Sequence, residues 1–163
     1  MATPKLTHTF TIKVVVPPGM DASPNPHTNL TVVNVNKGTV TSADGSITLQ
    51  CAGGADYMLA KPDSATQSID ARLSFVGDSS NGLNLDFQYL GKITISPEMM
   101  EVFKSTPGKE TEFGQPYFYT TPRVSSKSEK LAWVNDTVFL AMGKVSVLEN
   151  RDIELCYRIF KVG

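Results

Sequence analysis

The sequence is poor in cysteine, in histidine and in long apolar runs, and each shortage excludes a class of protein. Only two of its 163 residues are cysteines, Cys51 and Cys156, and they lie far apart in the chain. Neither a disulfide scaffold nor a cysteine-based zinc site can be assembled from such a pair. We expect two buried thiols, with one disulfide between them as the alternative.

Membrane and nucleic-acid functions are also disfavoured by composition. No run approaches the roughly 18 apolar residues that a membrane helix needs, and the N-terminal segment lacks the basic start and apolar block of a signal peptide. The formal net charge is -1, and the basic residues are scattered singly rather than gathered into a patch. We expect a cytoplasmic protein with no nucleic-acid partner and no membrane partner.

Complete catalytic and metal-binding signatures are missing as well. The sequence has no G-x-S-x-G, no H-E-x-x-H and no glycine-rich phosphate loop that opens a helix. Its two histidines, His8 and His27, are more typical of surface positions. His27 follows a long polar loop, from Pro17 to Pro26, which is either an exposed linker or a rim or lid over a pocket. We expect neither a metal nor a cofactor.

What the sequence does have is period-two alternation of apolar residues. In the first such run, Phe10, Ile12, Val14 and Val16 fall on one side of a strand. About nine to ten short strands separated by turns follow the same rule. The pattern predicts an all-β fold in a single domain, residues 1–163, as an antiparallel sandwich or barrel. Closure into a barrel is favoured because it removes exposed sheet edges.

One short helix is predicted to interrupt the strands. Ser96 is a good N-cap, Pro97 suits the first helical position, and Pro107 with Gly108 would end the helix. The apolar side of this helix is formed by Met99, Met100, Val102 and Phe103. With about two turns it has little stability of its own, so we expect it to plug or cap the barrel.

The stretch from Tyr117 to Gly143 is predicted to form two strands joined by a polar turn. Alternation in the second strand places Leu131, Trp133 and Asn135 on one face. If Trp133 points inward, Asn135 does so too, and a buried amide needs hydrogen-bond partners. We interpret this stretch as a pocket wall.

Asp56 is the candidate acid or base. It follows the paired glycines Gly53 and Gly54, which within a strand pattern predict a bulge. A carboxyl group in an apolar cavity has a raised pKa and can transfer protons near neutral pH. Arg72, Asn135 and Thr120 would then hold or polarise a carbonyl oxygen.

The predicted site combines these groups with an aromatic wall. The candidate catalytic residues are Asp56, Arg72 and Asn135, and the candidate substrate-binding residues are Tyr57, Tyr89, Tyr119, Thr120 and Trp133. Two other interpretations of these polar residues remain open. They could form a satisfied polar network, or they could be surface residues, and Asp70 and Arg72 could simply pair with each other.

Four motifs, in order, resemble those of domain-of-unknown-function family 3237, also called uncharacterised protein family 0311. They are Gly53–Tyr57, Asp70–Arg72, Tyr117–Pro122 and Ala132–Asn135. The resemblance runs from about residue 5 to the C-terminus and implies a closed, calycin-like antiparallel barrel, but little about activity. Tyr119 departs from the basic residue that family members tend to carry, so the pocket is expected to be more aromatic than usual. The polar loop and the helix at Pro97 look like those of fungal members, which can accompany natural-product pathways.

We therefore expect a cofactor-independent enzyme of isomerase, cyclase or lyase type. Its substrate would be a small, mostly apolar, natural-product-like molecule, with Asp56 as acid or base. One alternative is a non-catalytic barrel that binds such a molecule against Trp133 and the tyrosines. Another is a structural subunit with a solid core. A homodimer is left open.

Overall fold

The computed structural model describes residues 3–18 and 25–163, so most of the predicted polar lid, from Pro17 to Pro26, lies outside the described residues. Nine strands and one α-helix, α1 (Pro97–Phe103), are found in these ranges. The strands are β1 (Leu6–Val16), β2 (Leu30–Val35), β3 (Lys37–Ser42), β4 (Thr48–Leu59), β5 (Thr66–Val76), β6 (Asn84–Thr94), β7 (Phe118–Ser125), β8 (Phe139–Val147) and β9 (Ile153–Val162).

The sheet closes through β4. One edge of β4 pairs with β3 near its start and with β2 from Gly54 to Leu59, while its other edge pairs with β5. The remaining strands follow in the order β3, β1, β9, β8, β7, β6, β5, all antiparallel. The result is a closed eight-stranded antiparallel barrel with β2 as an extra strand. The predicted all-β barrel is confirmed.

Alternation along the strands builds the core of the barrel. Every second residue of β7 is buried and the residues between are exposed, and β1 buries the predicted Phe10, Ile12, Val14 and Val16. Inward side chains from all nine strands meet in one apolar cluster. The period of two is therefore the feature of the sequence that specifies this fold.

The predicted helix is present and covers one end of the barrel. The Ser96 side chain accepts a hydrogen bond from the backbone N–H of Met99 at 3.2 Å, and Met99, Val102 and Phe103 are buried. The backbone N–H of Ile95, just before the helix, donates to the carbonyl of Ala65 in the β4–β5 turn at 2.8 Å. We call this end of the barrel the helix end. In the described ranges no helix is long and apolar enough to cross a membrane.

The predicted second strand of the Tyr117–Gly143 stretch is wrong in its first half. Residues Glu129–Asp136 form a 3₁₀ helix, and β8 begins only at Phe139. Because a 3₁₀ helix has about three residues per turn, Leu131 and Val134 share the buried face. The inference that Trp133 and Asn135 point the same way therefore fails.

The two cysteines are free thiols, as expected. Cys156 is buried on the outer side of β9, next to Lys13 and Lys144 on the neighbouring strands, whereas Cys51 is only partly buried. The Cys51 thiol donates to the carbonyl of Val35 at 3.9 Å. Burial raises the pKa of both thiols, so both remain protonated at neutral pH.

Gly143 of β8 leaves room for an aromatic ring inside the barrel. A Cβ atom at this position would collide with the ring of Phe118, which is almost fully buried. We expect Gly143→Ala to lower the free energy of unfolding by about 1–3 kcal/mol, the usual cost of overpacking. Urea denaturation measures the loss. Phe118→Leu in the same chain should recover part of it, and an additive double variant would contradict this explanation.

Candidate active site

A β-bulge in β4 places Asp56 inside the barrel. Leu49 and Cys51 face inward, so strict alternation would turn residue 56 outward. The pairing of β4 with β5 shifts between Cys51 and Gly53, which adds one residue and reverses the alternation. Gly53 and Gly54 have φ values of 136° and 152°, which favour glycine. Asp56 and Met58 consequently face inward.

Asp56 borders a small cavity near the helix end. The cavity has a volume of about 20 Å³, room for about one water molecule. Phe103 of α1 is the one residue of its lining that does not come from a strand. The lining consists of Val14, Val33, Val35, Asp56, Met58, Ile69, Leu73, Tyr89, Ile93, Phe103, Phe118, Leu155 and Tyr157. Asp56 is therefore a single carboxyl group among apolar and aromatic side chains.

The Asp56 carboxyl group is buried and incompletely paired. Its side chain is 7% exposed, and among the described residues its Oδ1 atom has no hydrogen-bond partner. Burial, and secondly the negative charge of Asp70, raise the pKa of Asp56 to about 7. Near neutral pH the group is therefore present both as acid and as carboxylate, which suits it to proton transfer.

Two tyrosines, Tyr89 and Tyr157, face Asp56 across the cavity. Their ring centroids are 5.0 Å apart, and their hydroxyl groups are hydrogen-bonded to each other. Burial raises the pKa of both. The nearby Asp56 carboxylate raises both pKa values further, so both hydroxyls remain protonated. Since one hydroxyl donates to the other, one O–H group remains free to donate beside a buried acid or base, an arrangement that can polarise a carbonyl oxygen while a proton moves.

Three further inward polar groups are also unpaired. Among the described residues, Thr31 Oγ1, Gln67 Oε1 and Thr120 Oγ1 are buried without a hydrogen-bond partner. Each of these side chains is more than nine-tenths buried. Such groups are rare in folded proteins because each costs about 1–3 kcal/mol.

The structure brings together only part of the predicted site. Asp56 and Tyr89 line the cavity, and Thr120 is buried on the inward side of β7. Arg72 lies on the outer surface, where it pairs with Asp70 at 3.4 Å, because Arg72 and Asp70 face outward on β5. The predicted use of Arg72 beside Asp56 is therefore not supported by this geometry.

The predicted aromatic wall does not form inside the barrel. Tyr57 faces outward because the bulge that turns Asp56 inward turns its neighbour outward. Tyr119 also faces outward, against Tyr117 at 4.9 Å between ring centroids, and lines an open groove of about 640 Å³ on the outer wall. Neither tyrosine contributes to the cavity at Asp56.

Trp133 and Asn135 lie at the opposite end of the barrel. The 3₁₀ helix that carries them follows Ser126, whose hydroxyl donates to the carbonyl of Asn84 at the start of β6. Asn135 caps this turn through two hydrogen bonds with the backbone of Ser126, at 3.0 and 3.1 Å. Trp133 is 43% exposed and stacks on Phe10 at 5.9 Å. Both side chains have structural contacts there.

The residues that sequence reasoning missed are Tyr157, Thr31 and Gln67. Each occupies an inward position of an alternating strand. The alternation of inward and outward residues could therefore have identified them once one inward residue of each strand was known.

Neither histidine lies at the cavity. His8 contacts the Phe10 carbonyl and the Thr11 hydroxyl, and His27 is exposed.

No group of three or more His, Cys, Asp or Glu side chains within residues 3–18 and 25–163 could hold a metal ion.

Comparison with known proteins gives a family and a fold. The family model described as "Protein of unknown function (DUF3237)" matches residues 4–162. No curated protein matches the chain. A conserved protein of unknown function from Rhodopseudomonas palustris is similar in structure with a TM-score of 0.75 and 18% identity, covering 100% of this chain and 99% of that one.

Two other solved structures share the fold. A β-barrel-like protein from Acinetobacter baumannii has a TM-score of 0.66 and 17% identity, covering 100% of this chain and 98% of that one. An enzyme from Penicillium herquei has a TM-score of 0.56 and 16% identity, covering 98% of this chain and 96% of that one. At these identities the likeness is one of fold.

Proposed function

The chain belongs to the family of proteins of unknown function DUF3237, and we propose that it binds a small, mostly apolar organic molecule and catalyses a cofactor-independent proton shift of the isomerase or cyclase type. The observation that carries this proposal is the buried Asp56 carboxyl group, with its unpaired Oδ1, beside the hydrogen-bonded Tyr89 and Tyr157. A fold neighbour from Penicillium herquei is an enzyme, which supports a catalytic use of this barrel.

The proposed reaction needs only these side chains. The Asp56 carboxylate takes a proton from a carbon atom next to a carbonyl group, and the C–H electron pair moves to form an enolate. A hydroxyl group of Tyr89 or Tyr157 donates a hydrogen bond to the enolate oxygen, where negative charge develops. Asp56 then returns the proton to a carbon atom conjugated with the enolate, which shifts the double bond. Alternatively, the enolate carbon adds to a second carbonyl carbon of the same molecule, and the oxygen of that carbonyl takes the electron pair and the proton from Asp56 as the ring closes.

Substrate entry requires α1 to move. A cavity of about 20 Å³ is too small for an organic molecule, and Phe103 closes it at the helix end. Because α1 has seven residues, most of its stability comes from the three side chains that it buries. Displacement of Phe103 would admit a ring-sized ligand to Asp56 without breaking any strand pairing.

A general probe of buried bases tests the proposal. In nitrobenzisoxazole, a base removes the ring C–H proton, the electron pair forms a nitrile, and the N–O bond breaks to give a coloured phenolate. We expect Phe103→Ala, which opens the cavity, to accelerate this elimination at least about 100-fold over the Phe103→Ala/Asp56→Asn chain. The rate should rise with pH through a midpoint above 3.8, the ordinary value for an aspartate, and no higher than about 7, because opening the cavity relieves part of the burial that raises the Asp56 pKa.

Asp70→Asn is the matched control. Asp70 is a carboxylate on the outer face whose charge helps to raise the Asp56 pKa. This variant should keep the elimination but shift its midpoint to lower pH. Equal rates with and without Asp56 would refute the catalytic proposal. If the probe binds but is not converted in any variant, the non-catalytic binding barrel is the correct alternative.

A further inference from the structure

Two unpaired polar groups, on Thr31 and Gln67, lie next to residues that line the Asp56 cavity. Thr31 lies opposite Met58 and two residues before Val33, and both of these line the cavity. Gln67 lies opposite Ile93 and two residues before Ile69, and both of these line the cavity as well. Thr31 and Gln67 therefore stand on the inward side at the helix end, beyond Asp56.

The unpaired side-chain oxygen atoms of Thr31 and Gln67 give the free barrel no stability. Thr31 and Gln67 are 8% and 9% exposed, and with Asp56 they leave three unpaired oxygen atoms on β2, β4 and β5. An apolar side chain of the same shape avoids the cost of burying an unpaired polar atom. A hydrogen-bonding ligand also offsets that cost, and it does so only when bound.

We infer that Thr31 and Gln67 are specificity-determining residues of the Asp56 cavity and that the ligand carries at least two hydroxyl groups on an apolar body. This inference rests on the function proposed above. The Gln67 Oε1 atom accepts a hydrogen bond and therefore requires a donor, while the Thr31 hydroxyl group can either donate or accept. Neutral hydroxyl groups fit better than ammonium groups because the lining is apolar and a buried charge is costly.

Stability of the free protein provides a test without a ligand. Gln67→Met and Thr31→Val replace each unpaired group by an apolar group of similar shape. We expect each to raise the midpoint of thermal unfolding by about 2–4 °C. Gln88→Met, on the outward side of β6, should leave it unchanged. A lower midpoint for both inward variants would show that the two polar groups stabilise the free barrel, and this would overturn the inference.

Matched probes test the ligand class. Phe103→Ala removes one benzene ring from the cavity lining, so single-ring probes have space to bind. We would compare resorcinol with meta-xylene, and hydroquinone with para-xylene, by calorimetry. In each pair hydroxyl groups replace methyl groups on the same ring. At least one dihydroxy probe should bind about tenfold or more tightly than its dimethyl partner. Adding Gln67→Met and Thr31→Val should abolish that preference.

The outcomes separate this inference from the proposed function. If the dimethyl probes bind as tightly as the dihydroxy probes, or if the preference survives both substitutions, the inference is wrong while the cavity remains a binding site. If no probe binds to the Phe103→Ala chain, the proposed site itself fails, and the inference fails with it.

Discussion

The free energy of unfolding should fall by about 4 kcal/mol between about pH 4 and about pH 8 through the titration of Asp56 alone. The pKa of this carboxyl group is raised from 3.8 to about 7 in the folded protein. The native state therefore holds a proton that the unfolded chain has released, and the stabilisation is complete below 3.8 and lost as pH rises through 7. Each unit of difference between the folded and unfolded pKa values is worth about 1.36 kcal/mol, so the rise from 3.8 to about 7 corresponds to about 4 kcal/mol.

Asp56→Asn isolates this effect because the amide does not ionise. Urea denaturation of both proteins at about pH 4 and pH 8 should show the variant gaining about 4 kcal/mol relative to the parent at the higher pH. Asp70→Asn is the comparison carboxylate on the outer surface. It should keep most of the pH dependence, because burial is the main cause of the raised Asp56 pKa, and lose only the smaller part that the charge of Asp70 contributes. A stability difference between parent and Asp56→Asn that is the same at both pH values would show that Asp56 ionises normally.

The ionised Asp56 carboxyl group lowers the stability of the folded protein at neutral pH, so the packing of the barrel gives no reason for an aspartate at this position. Asparagine or an apolar residue at position 56 would avoid the cost of ionisation, and no strand pairing depends on the Asp56 side chain. Groups that lower stability are concentrated at functional sites, because activity requires them there. The predicted loss of stability and the proposed proton transfer therefore have the same origin, the ionisation of a buried carboxyl group.

Much of the barrel could be predicted from the sequence because alternation is a local property. The inward residues of β1 and the N-cap of α1 at Ser96 follow directly from residue types and spacing. The bulge at Gly53 and Gly54 was also indicated, since paired glycines in a strand pattern favour a change of register.

The site was harder to predict because it depends on which side of each strand faces inward. The bulge puts Asp56 inside and Tyr57 outside, and the sequence alone does not show at which residue the alternation reverses. Tyr157 comes from β9, which is remote in sequence from Asp56 on β4, so only the closed barrel brings the two together at the cavity. The 3₁₀ helix was missed because Leu131, Trp133 and Asn135 also fit a period of two.

Phe103→Ala should lower the free energy of unfolding by about 3–5 kcal/mol, the usual cost of removing a buried phenylalanine ring. Phe103 is 4% exposed and is the residue of α1 that lines the cavity. The same substitution should enlarge the cavity by about one ring, so a ring-sized ligand should restore part of the lost stability by mass action. Urea denaturation with and without resorcinol measures both effects.

Met100→Ala is the control for α1 because Met100 lies on the same helix and is 40% exposed. It should cost less than about 1 kcal/mol and gain no stability from resorcinol. Phe103→Leu keeps most of the apolar contact and should fall between the two, which preserves the test if Phe103→Ala does not fold. A loss below about 1 kcal/mol for Phe103→Ala would mean that the Phe103 ring does not hold α1 against the end of the barrel. A large loss that resorcinol reverses requires a ligand site under α1, where Asp56 is the buried carboxyl group.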